Sequence, residues 1–472
     1  MTDVLVVGAG PTGLLLASEL VLAGADVVLV DKANERSGQS KALSLQPRSV
    51  EILHSRGLLG SLLDDVPRLP AGHFAGLPVP LDYGVLDTRF PYQLGIPQLR
   101  IEQRLEEHLA GRGVGVCRGL ELTGLEQDET GVRATFSDAA EIRAGWVVGC
   151  DGARSAVRKL AGIEFPGRDG RFSAVVADVV VAGVEPGWEL PSLVPRDGAV
   201  MTMVPLEDGV HRALFTGPEQ QNLPKDLPVA FEEVAAALRG WYGDEIVLRE
   251  LRYASRFTDA ARQPERYRVG RVFVAGDAAH VHSPTGGQGM NLGLQDAFNL
   301  GWKLGAVVRG EAGSGLLDSY HDERHPVGRA VLGNTRAQGV LMVPDEDVAC
   351  LRETFVELLG VPEANRLLAE QVSGIGVAYA PGDHPLVGRR MPDITLANGQ
   401  TLADRLRAGR HVLLEGMDLA AGGLGEANGF AGGGVCGARV LVRPDGYVGW
   451  ASDDPRAVVP EVGGLPRVTA GS

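Results

Sequence analysis

Val4–Asp31 reads VLVVGAGPTGLLLASELVLAGADVVLVD. Its first four residues form an apolar run that predicts a strand buried on both faces. A glycine-rich turn follows, and Leu14–Leu22 then has helical spacing. Asp26–Val30 predicts a second strand, which ends at Asp31. This order of elements predicts a βαβ unit at the start of a parallel sheet.

The glycines of this unit match the dinucleotide-binding pattern. Gly8 allows the tight turn, Gly10 lets the backbone approach a pyrophosphate, and Gly13 lets helix and strand pack closely. Asp31 can accept hydrogen bonds from ribose hydroxyls, and its charge would repel a 2′-phosphate. The unit therefore favours FAD or NAD over NADP.

A second strand–loop–helix unit spans Arg271–Leu304, RVFVAGDAAHVHSPTGGQGMNLGLQDAFNLGWKL. Asp277 ends the strand, and the loop Ser283–Gly289 has few side chains that could keep a ligand from the backbone. The helix after it has free first amides, which favour an anion or an electron-rich ring edge. A plain turn between a core strand and a core helix is the alternative, but three glycines in four residues favour a ligand cradle.

A third strand end, at Cys150, is followed by Asp151-Gly152 and by a predicted helix that carries Arg154 and Arg158. These residues suit a ligand-binding turn. They equally suit a helix cap with two solvated arginines, and the residues alone leave both interpretations open.

Between these units, Phe172–Thr216 and Ile246–Phe257 contain strand-like segments that predict a mostly antiparallel sheet, a suitable wall for a substrate. Arg212 lies on its central strand and either faces the active site or points outward to water. After the second unit, Gly315–His325, Val327–Val340 and Asp345–Glu370 predict helices. The chain beyond His384 predicts a small domain of a few strands.

Composition limits the function further. The chain has 472 residues, a net charge of −15 and 44% hydrophobic residues, which predicts a soluble protein of two or three domains. The acidic balance argues against nucleic acid or an anionic membrane as partner. Four widely spaced cysteines predict a reducing cytoplasm and no disulfide framework or metal site. We expect no membrane span and no signal peptide, because the glycine pattern begins at Gly8.

The three units in this order resemble the single-component FAD-dependent aromatic hydroxylases, whose founding fold is para-hydroxybenzoate hydroxylase. The likeness covers nearly the whole chain. Tyr320–Pro326 and Asn334–Gln338 most resemble the actinomycete branch that hydroxylates aromatic polyketides of the angucycline and tetracycline type, and rifampicin monooxygenases carry nearly the same motifs.

The resemblance implies a set of cofactor-binding residues. The FAD pyrophosphate and ribose would be met by Gly8, Gly10, Pro11, Thr12, Gly13, Asp31 and Lys32; the flavin side and the adenine by Lys41, Gln98 and the backbone near Leu122; the pyrophosphate region and passing NADPH by Asp151 and Gly152; the ribityl end by Asp277; and the isoalloxazine ring by Pro284, Gly286, Gly287, Gly289, Met290 and Asn291. Arg212 and Pro284 are the catalytic candidates, and no metal is implied.

The resemblance also implies an α/β fold with an FAD-binding Rossmann-like domain, an inserted mostly antiparallel substrate domain and a shortened thioredoxin-like C-terminal domain. The expected boundaries are 1–72, 92–170 and 265–384 for the first, 73–91 and 171–264 for the second, and 385–472 for the third. The third lacks a redox cysteine pair, and we expect it to be a separable appendage.

The implied activity is hydroxylation of a polycyclic phenolic polyketide in antibiotic biosynthesis, with NADPH and O2, through a flavin hydroperoxide. A Baeyer–Villiger or rifampicin-type oxygenase on the same scaffold is one alternative, and a flavin reductase or dehydrogenase without oxygen insertion is another. We expect a monomer or homodimer in the cytoplasm.

Overall fold

The computed structural model describes residues 1–64, 66–184, 199–206, 208–221, 223–224, 226–343, 345–396, 398–418, 436–460 and 467–469. Most of the glycine-rich stretch 422–437 lies outside these residues. No helix in this described part of the chain combines the length and apolarity needed to cross a membrane.

The described residues form ten α-helices. In chain order they are α1 Pro11–Leu22, α2 Pro47–Ser55, α3 Gln98–Ala110, α4 Ala156–Leu160, α5 Phe231–Tyr242, α6 Gly289–Val308, α7 Asp318–Leu341, α8 Glu346–Leu359, α9 Pro362–Ser373 and α10 Leu402–Leu406.

The strands alternate with them along the chain. The first ten are β1 Thr2–Val7, β2 Val27–Asp31, β3 Arg68–Leu69, β4 Ala71–Gly72, β5 Leu81–Asp82, β6 Gln93–Leu94, β7 Val116–Arg118, β8 Leu122–Gln127, β9 Val132–Phe136 and β10 Glu141–Gly149. The others described are β11 Gly167–Arg168, β12 Ser173–Ala182, β13 Val200–Pro205, β14 Val210–Thr216, β15 Val247–Thr258, β16 Ala261–Arg262, β17 Arg268–Val269, β18 Val272–Val274, β19 Val412–Asp418, β20 Cys436–Val442, β21 Val448–Ser452 and β22 Arg467–Thr469.

The first sheet has the order β17-β18-β10-β1-β2-β7, and β9 and β8 extend it from β10. Strands β18, β10, β1, β2 and β7 run parallel. Their apolar runs are buried because helices cover the sheet, and α1 and α6 pack on each other in its main core. The carboxyl ends of β1, β2, β10 and β18 therefore meet at one edge, where the three sequence units end. The α/β class predicted from the sequence is confirmed.

The middle sheet is antiparallel, with the order β13-β14-β12-β15. One face is buried under α5, where Ala213 and Phe215 pack against Val234 and Leu238. The opposite face carries half-buried side chains and Arg212. The period-two alternation of these strands thus separates a closed face from an open one.

Segment 73–91 packs differently from the expectation that it joins the middle sheet. Its side chains Phe74, Leu81 and Tyr83 form a cluster with residues of α7, α8 and α9. Large apolar groups without a clear period gave no sign of this partner, because the helices lie about 270 residues further along the chain. The boundaries between the three domains stay a prediction.

Two element predictions were wrong in detail. The separate strands expected at Glu141–Val147 and Val147–Cys150 are one strand, β10. The two helices expected around Pro326 are one helix, α7, with the proline inside it. Proline removes one helical hydrogen bond, but buried residues on both sides of it, such as Arg324 and Gln338, hold the helix in place.

The C-terminal part is a four-stranded sheet with the order β21-β20-β19-β22, and β19 and β20 pack against α10. It is not separable in the manner expected. Arg443, in the turn after β20, donates to Glu323 of α7, and Arg390 donates to Glu51 of α2. Buried ion pairs therefore join this part to the first domain.

Candidate active site

The turn Gly8–Gly13 lies at the carboxyl end of β1. Gly8 has φ +105°, and a Cβ there would collide with the Cys150 carbonyl. A Cβ on Gly13 would collide with the Gly8 carbonyl, whereas a Cβ on Gly10 would have no atom within 4 Å. Pro11 begins α1. The first and third glycines are therefore required for packing, and the second faces open space in which a ligand fits.

Asp31 ends β2 with its carboxylate tied to the backbone. Oδ2 accepts from the Ala9 amide at 2.7 Å, and Oδ1 accepts from the Ala33 amide at 2.8 Å. The Leu120 amide donates to the Asp31 carbonyl at 3.0 Å, which brings the segment leading to Leu122 beside this carboxylate. Lys32 is exposed next to it. The ribose and adenine candidates thus lie together.

Asp151 caps α4. Its Oδ2 accepts from the amides of Ala156 and Val157 at 2.6 and 3.1 Å, while its buried Oδ1 has no partner among the described residues. Gly152 turns the chain with φ +80°. Arg158 is not solvated: it is buried and donates to the carbonyls of Ala278 and Ala153. The cap and the ligand-binding interpretation are therefore compatible, because one carboxylate oxygen is engaged and the other is unpaired.

Asp277 lies in a short turn at the end of β18 and is exposed. The turn begins at Gly276, with φ +60°, where a Cβ would lie 2.6 Å from Thr12 Oγ1. Gly293 of α6 is as close to the same hydroxyl. Thr12 therefore packs between the turn and α6, which is a structural task that its prediction as a cofactor contact did not foresee.

The loop before α6 presents backbone. Pro284 is exposed, and Gly286 and Gly287 have φ of +77° and +63°. Helix α6 begins at Gly289 without a side-chain cap, and Met290 is half-buried. The free amides at this end carry the positive end of the helix dipole, which stabilises negative charge in front of them.

Asn291 ties this loop to segment 41–46. Its Oδ1 accepts from the Gln46 amide at 2.8 Å, and its Nδ2 donates to the carbonyls of Ser44 and Gly287. Gln98 holds the same segment from the other side, since its Oε1 accepts from the Ala42 amide at 3.1 Å. The Lys41 side chain is exposed. Asn291 and Gln98 thus position the two chains that border the proposed ring site.

Arg212 is buried, and its fork is occupied. Nε and Nη2 donate to Asp178 of the neighbouring strand at 2.7 and 2.8 Å, and Nη1 donates to the Lys41 carbonyl at 3.5 Å. This last contact turns the open face of the middle sheet toward segment 41–46. Val176, Val204 and Leu214, all half-buried, share that face. The result is an apolar wall with one ion pair.

Beneath the loop, His280 and Arg324 both pair with Asp296 of α6, at 2.6 and 2.8 Å. Asp296 also accepts from the Gly276 amide at 3.2 Å. Burial alone would raise the pKa of Asp296, but His280 and Arg324 outweigh it and lower that pKa. Packing under the loop, one of two roles considered for His280, is the role seen. Burial lowers the pKa of His282 to about 4, so its ring is neutral near pH 7.

The residues present fit a flavin dinucleotide. Gly10 leaves room for a pyrophosphate, Asp151 offers an unpaired oxygen, and the loop and uncapped end of α6 offer backbone amides.

Comparison with known families agrees with this geometry. Residues 1–335 match the model of the FAD binding domain, and residues 384–469 match the aromatic-ring hydroxylase C-terminal domain. The chain belongs to the FAD-dependent aromatic-ring hydroxylases. As a member of this family it is an FAD-dependent monooxygenase, and NADPH is the co-substrate typical of the family.

Relatives span nearly the whole hydroxylase chain. A 12-dehydrotetracycline 5-monooxygenase/anhydrotetracycline 6-monooxygenase of Streptomyces rimosus is 43% identical over 95% of both chains, and a rifampicin monooxygenase of Streptomyces venezuelae is 42% identical over 97% of both. The solved structure of an aromatic hydroxylase from angucycline biosynthesis has a TM-score of 0.84 at 38% identity and covers 97% of each chain.

Sequence reasoning missed three residues that shape the hydroxylase site: Asp178, Asp296 and Gln46. The first two had a detectable signal, since each is an acid inside an otherwise apolar strand or helix and must find a partner. Gln46 had no such signal, because it lies in a segment without a clear pattern.

Proposed function

We propose that this monooxygenase hydroxylates a polycyclic phenolic substrate of the aromatic polyketide type. The observation that carries the proposal is the pairing of two surfaces. The uncapped start of α6, behind a backbone-only loop, stands on one side, and the half-buried apolar face of the middle sheet turns toward the same segment 41–46. A flat aromatic ring suits an apolar wall, and negative charge suits the helix end.

FAD, once reduced by NADPH, supplies the electrons that activate O2. The protein's own residues bind and orient. Gly8, Gly10, Pro11, Thr12, Gly13, Asp31 and Lys32 would hold the dinucleotide, with Leu122, Asp151, Gly152 and Asp277 along its length. Lys41, Gln98, Gly286, Gly287, Gly289, Met290 and Asn291 would border the ring, and Pro284 would shape the side from which oxygen approaches.

The end of α6 stabilises the negative charge that develops at the ring edge, because its amides are oriented before reaction and need no reorganisation. The apolar wall excludes water, which would otherwise consume the reactive oxygen. Within the wall, Arg212 is left with one outward nitrogen, Nη1, to contact a substrate. These roles are those of binding and positioning.

Two relatives favour this substrate class over the other candidates. The Streptomyces rimosus enzyme is named for tetracycline precursors and the solved structure for angucycline biosynthesis. The rifampicin monooxygenase, almost as similar, supports the alternative of an oxygenase acting on rifampicin. A cytoplasmic location and a monomeric or homodimeric state stay predictions.

The test is product analysis under labelled oxygen. Purified holoenzyme, NADPH and ¹⁸O2 are incubated with anhydrotetracycline, an angucyclinone and rifampicin. We expect one labelled oxygen atom on a phenolic carbon of a polyketide. Label from heavy water, or hydrogen peroxide alone across the panel, would refute hydroxylation, whereas a labelled ring ester would identify Baeyer–Villiger chemistry.

A further inference from the structure

His73 has an unusual environment for a histidine. Its side chain is exposed, yet burial by the surrounding protein lowers its pKa. Its ring has no hydrogen-bond partner among the described residues. A ring that is accessible and at the same time surrounded by protein lines an internal cavity instead of the outer surface.

The chain on either side of His73 shows which cavity this is. On one side, Gly72 packs on the Tyr83 hydroxyl, which donates to Gln46 Oε1 at 2.8 Å. Gln46 in turn donates to the Gly286 carbonyl at 3.1 Å. One end of the segment that carries His73 is therefore held to the glycine loop.

The other end is held to the same glycine. The Ala75 amide donates to Gln338 Oε1 at 3.0 Å, and Gln338 Nε2 would lie 3.3 Å from a Cβ on Gly286. Phe74 and Ala75 are buried in the cluster with α7–α9, which leaves His73 on the open side. His73 thus stands beside the loop that would border the flavin ring.

We propose that His73 contacts the phenolic substrate and takes the proton from the hydroxyl that activates the carbon to be hydroxylated. A phenolate donates more electron density to its ortho and para carbons than a phenol does. The inference rests on the proposed function, and it adds a catalytic residue that neither the family match nor the glycine motifs assign.

The proton and electrons balance as follows. The phenol O–H bond breaks and an imidazole N–H bond forms. The electron pair left on the oxygen is delocalised to a ring carbon, which bonds to the electrophilic oxygen that derives from O2 and NADPH through FAD. The proton of that ring carbon returns to the phenol oxygen, and the imidazolium proton leaves in the water formed from the second oxygen atom.

The titratable groups packed on this segment are Tyr83 and Arg352. Burial raises the pKa of Tyr83 above its ordinary value, so it stays neutral. Arg352 donates to the carbonyls of Ala75 and Gly76, and burial lowers its pKa. With Tyr83 neutral and Arg352 directed at backbone carbonyls, His73 is the group on this segment that is suited to exchange a proton near neutral pH.

The test compares His73→Gln with wild type as oxidised holoenzyme, normalised to bound flavin. The matched control is His108→Gln, an exposed histidine on α3. With anhydrotetracycline as probe, absorbance titration of the complex reports phenol ionisation without turnover. We expect the apparent pKa of the bound phenol to rise by at least one unit in His73→Gln and to stay unchanged in the control.

Turnover gives the second readout. In His73→Gln, kcat should fall by about 10²-fold or more with KM changed only a few-fold, and its dependence on the basic limb of the pH profile should change. His73→Ala should regain activity with added imidazole. If His73→Gln retains too little flavin, the same titration and rescue on His73→Ala decide the question.

Wild-type titration and kcat in His73→Gln would overturn the role of His73 while leaving hydroxylation intact. Absence of conversion of every phenolic polycycle by wild type would instead refute the proposed function, and with it this inference.

Discussion

Arg443, in the turn after β20, donates two hydrogen bonds to Glu323 of α7, at 2.6 and 2.8 Å. Lys303 of α6 donates to the same carboxylate at 2.7 Å. Both cations and the acid are largely buried. Helix α6 begins at the glycine loop, so this carboxylate connects the C-terminal sheet to the helix that faces the proposed flavin site.

We expect Glu323→Gln to lower the free energy of unfolding by about 3–5 kcal/mol, because two buried cations lose their counter-charge. Chemical denaturation measures the change. Arg133→Met is the matched control, since its partner Glu126 is exposed and the loss should stay below about 1 kcal/mol. Equal losses in the two variants would contradict a special role for Glu323.

Acid should weaken the same contact. Burial alone would raise the pKa of Glu323, but Arg443 and Lys303 lower it from 4.5 to about 2. A carboxyl group whose pKa is lower in the folded state contributes stability above its unfolded pKa and loses it as pH falls through the folded one. The stability difference between wild type and Glu323→Gln should therefore shrink between about pH 4.5 and pH 2, as followed by denaturation at each pH.

A chain that ends at Asp383 should be insoluble or fail to give a cooperative unfolding transition. It lacks Arg443 and Arg390, and it removes the Leu406 and Pro444 carbonyls to which buried Arg56 donates. Removing several partners at once leaves buried charges and donors uncompensated. A soluble, yellow truncation with a sharp unfolding transition would restore the idea of a separable appendage.

The glycine turn offers a matched pair of substitutions. Gly10→Val places a side chain in open space, so the variant should fold but purify without FAD. Gly13→Val drives a side chain into the Gly8 carbonyl and should fail to fold. Circular dichroism and flavin absorbance separate the two outcomes, and a folded, yellow Gly10→Val would refute the pyrophosphate assignment.

Sequence reasoning succeeded where chemistry is local. Gly8, Gly10 and Gly13 act within six residues of one another, so their spacing alone predicts the turn and the strand and helix around it. Glu323 and Arg443 lie 120 residues apart along the chain. Each looks like an ordinary surface charge in the sequence, and only the folded arrangement brings them together.

The same limit applies to the substrate side. The alternation in β14 predicts that Arg212 is on one face, but Asp178 lies on another strand, and only the register between β12 and β14 makes it the partner. The expectation of a free fork was therefore incomplete. Segment 73–91 shows the converse, since its apolar residues predict burial but do not indicate which helices cover them.

The Arg212–Asp178 pair allows structural and substrate roles to be separated. Arg212→Lys keeps the charge but loses the two-point contact, so both stability and substrate affinity should fall. The double variant Arg212→Met with Asp178→Leu removes both charges and should recover much of the stability, because no buried charge is left alone. Its affinity for the phenolic substrate should remain about 10-fold weaker if Nη1 reaches the substrate.

Arg256 provides the matched control for this experiment. It makes an equivalent two-point contact with Glu233 of α5, at 2.9 and 2.6 Å, on the closed face of the same sheet. Arg256→Met with Glu233→Leu should therefore change stability in the same way and leave substrate affinity as in wild type. Stability comes from denaturation, and affinity from quenching of flavin fluorescence on substrate binding. Wild-type affinity in both double variants would show that Arg212 only holds β14 to β12 and does not contact the substrate.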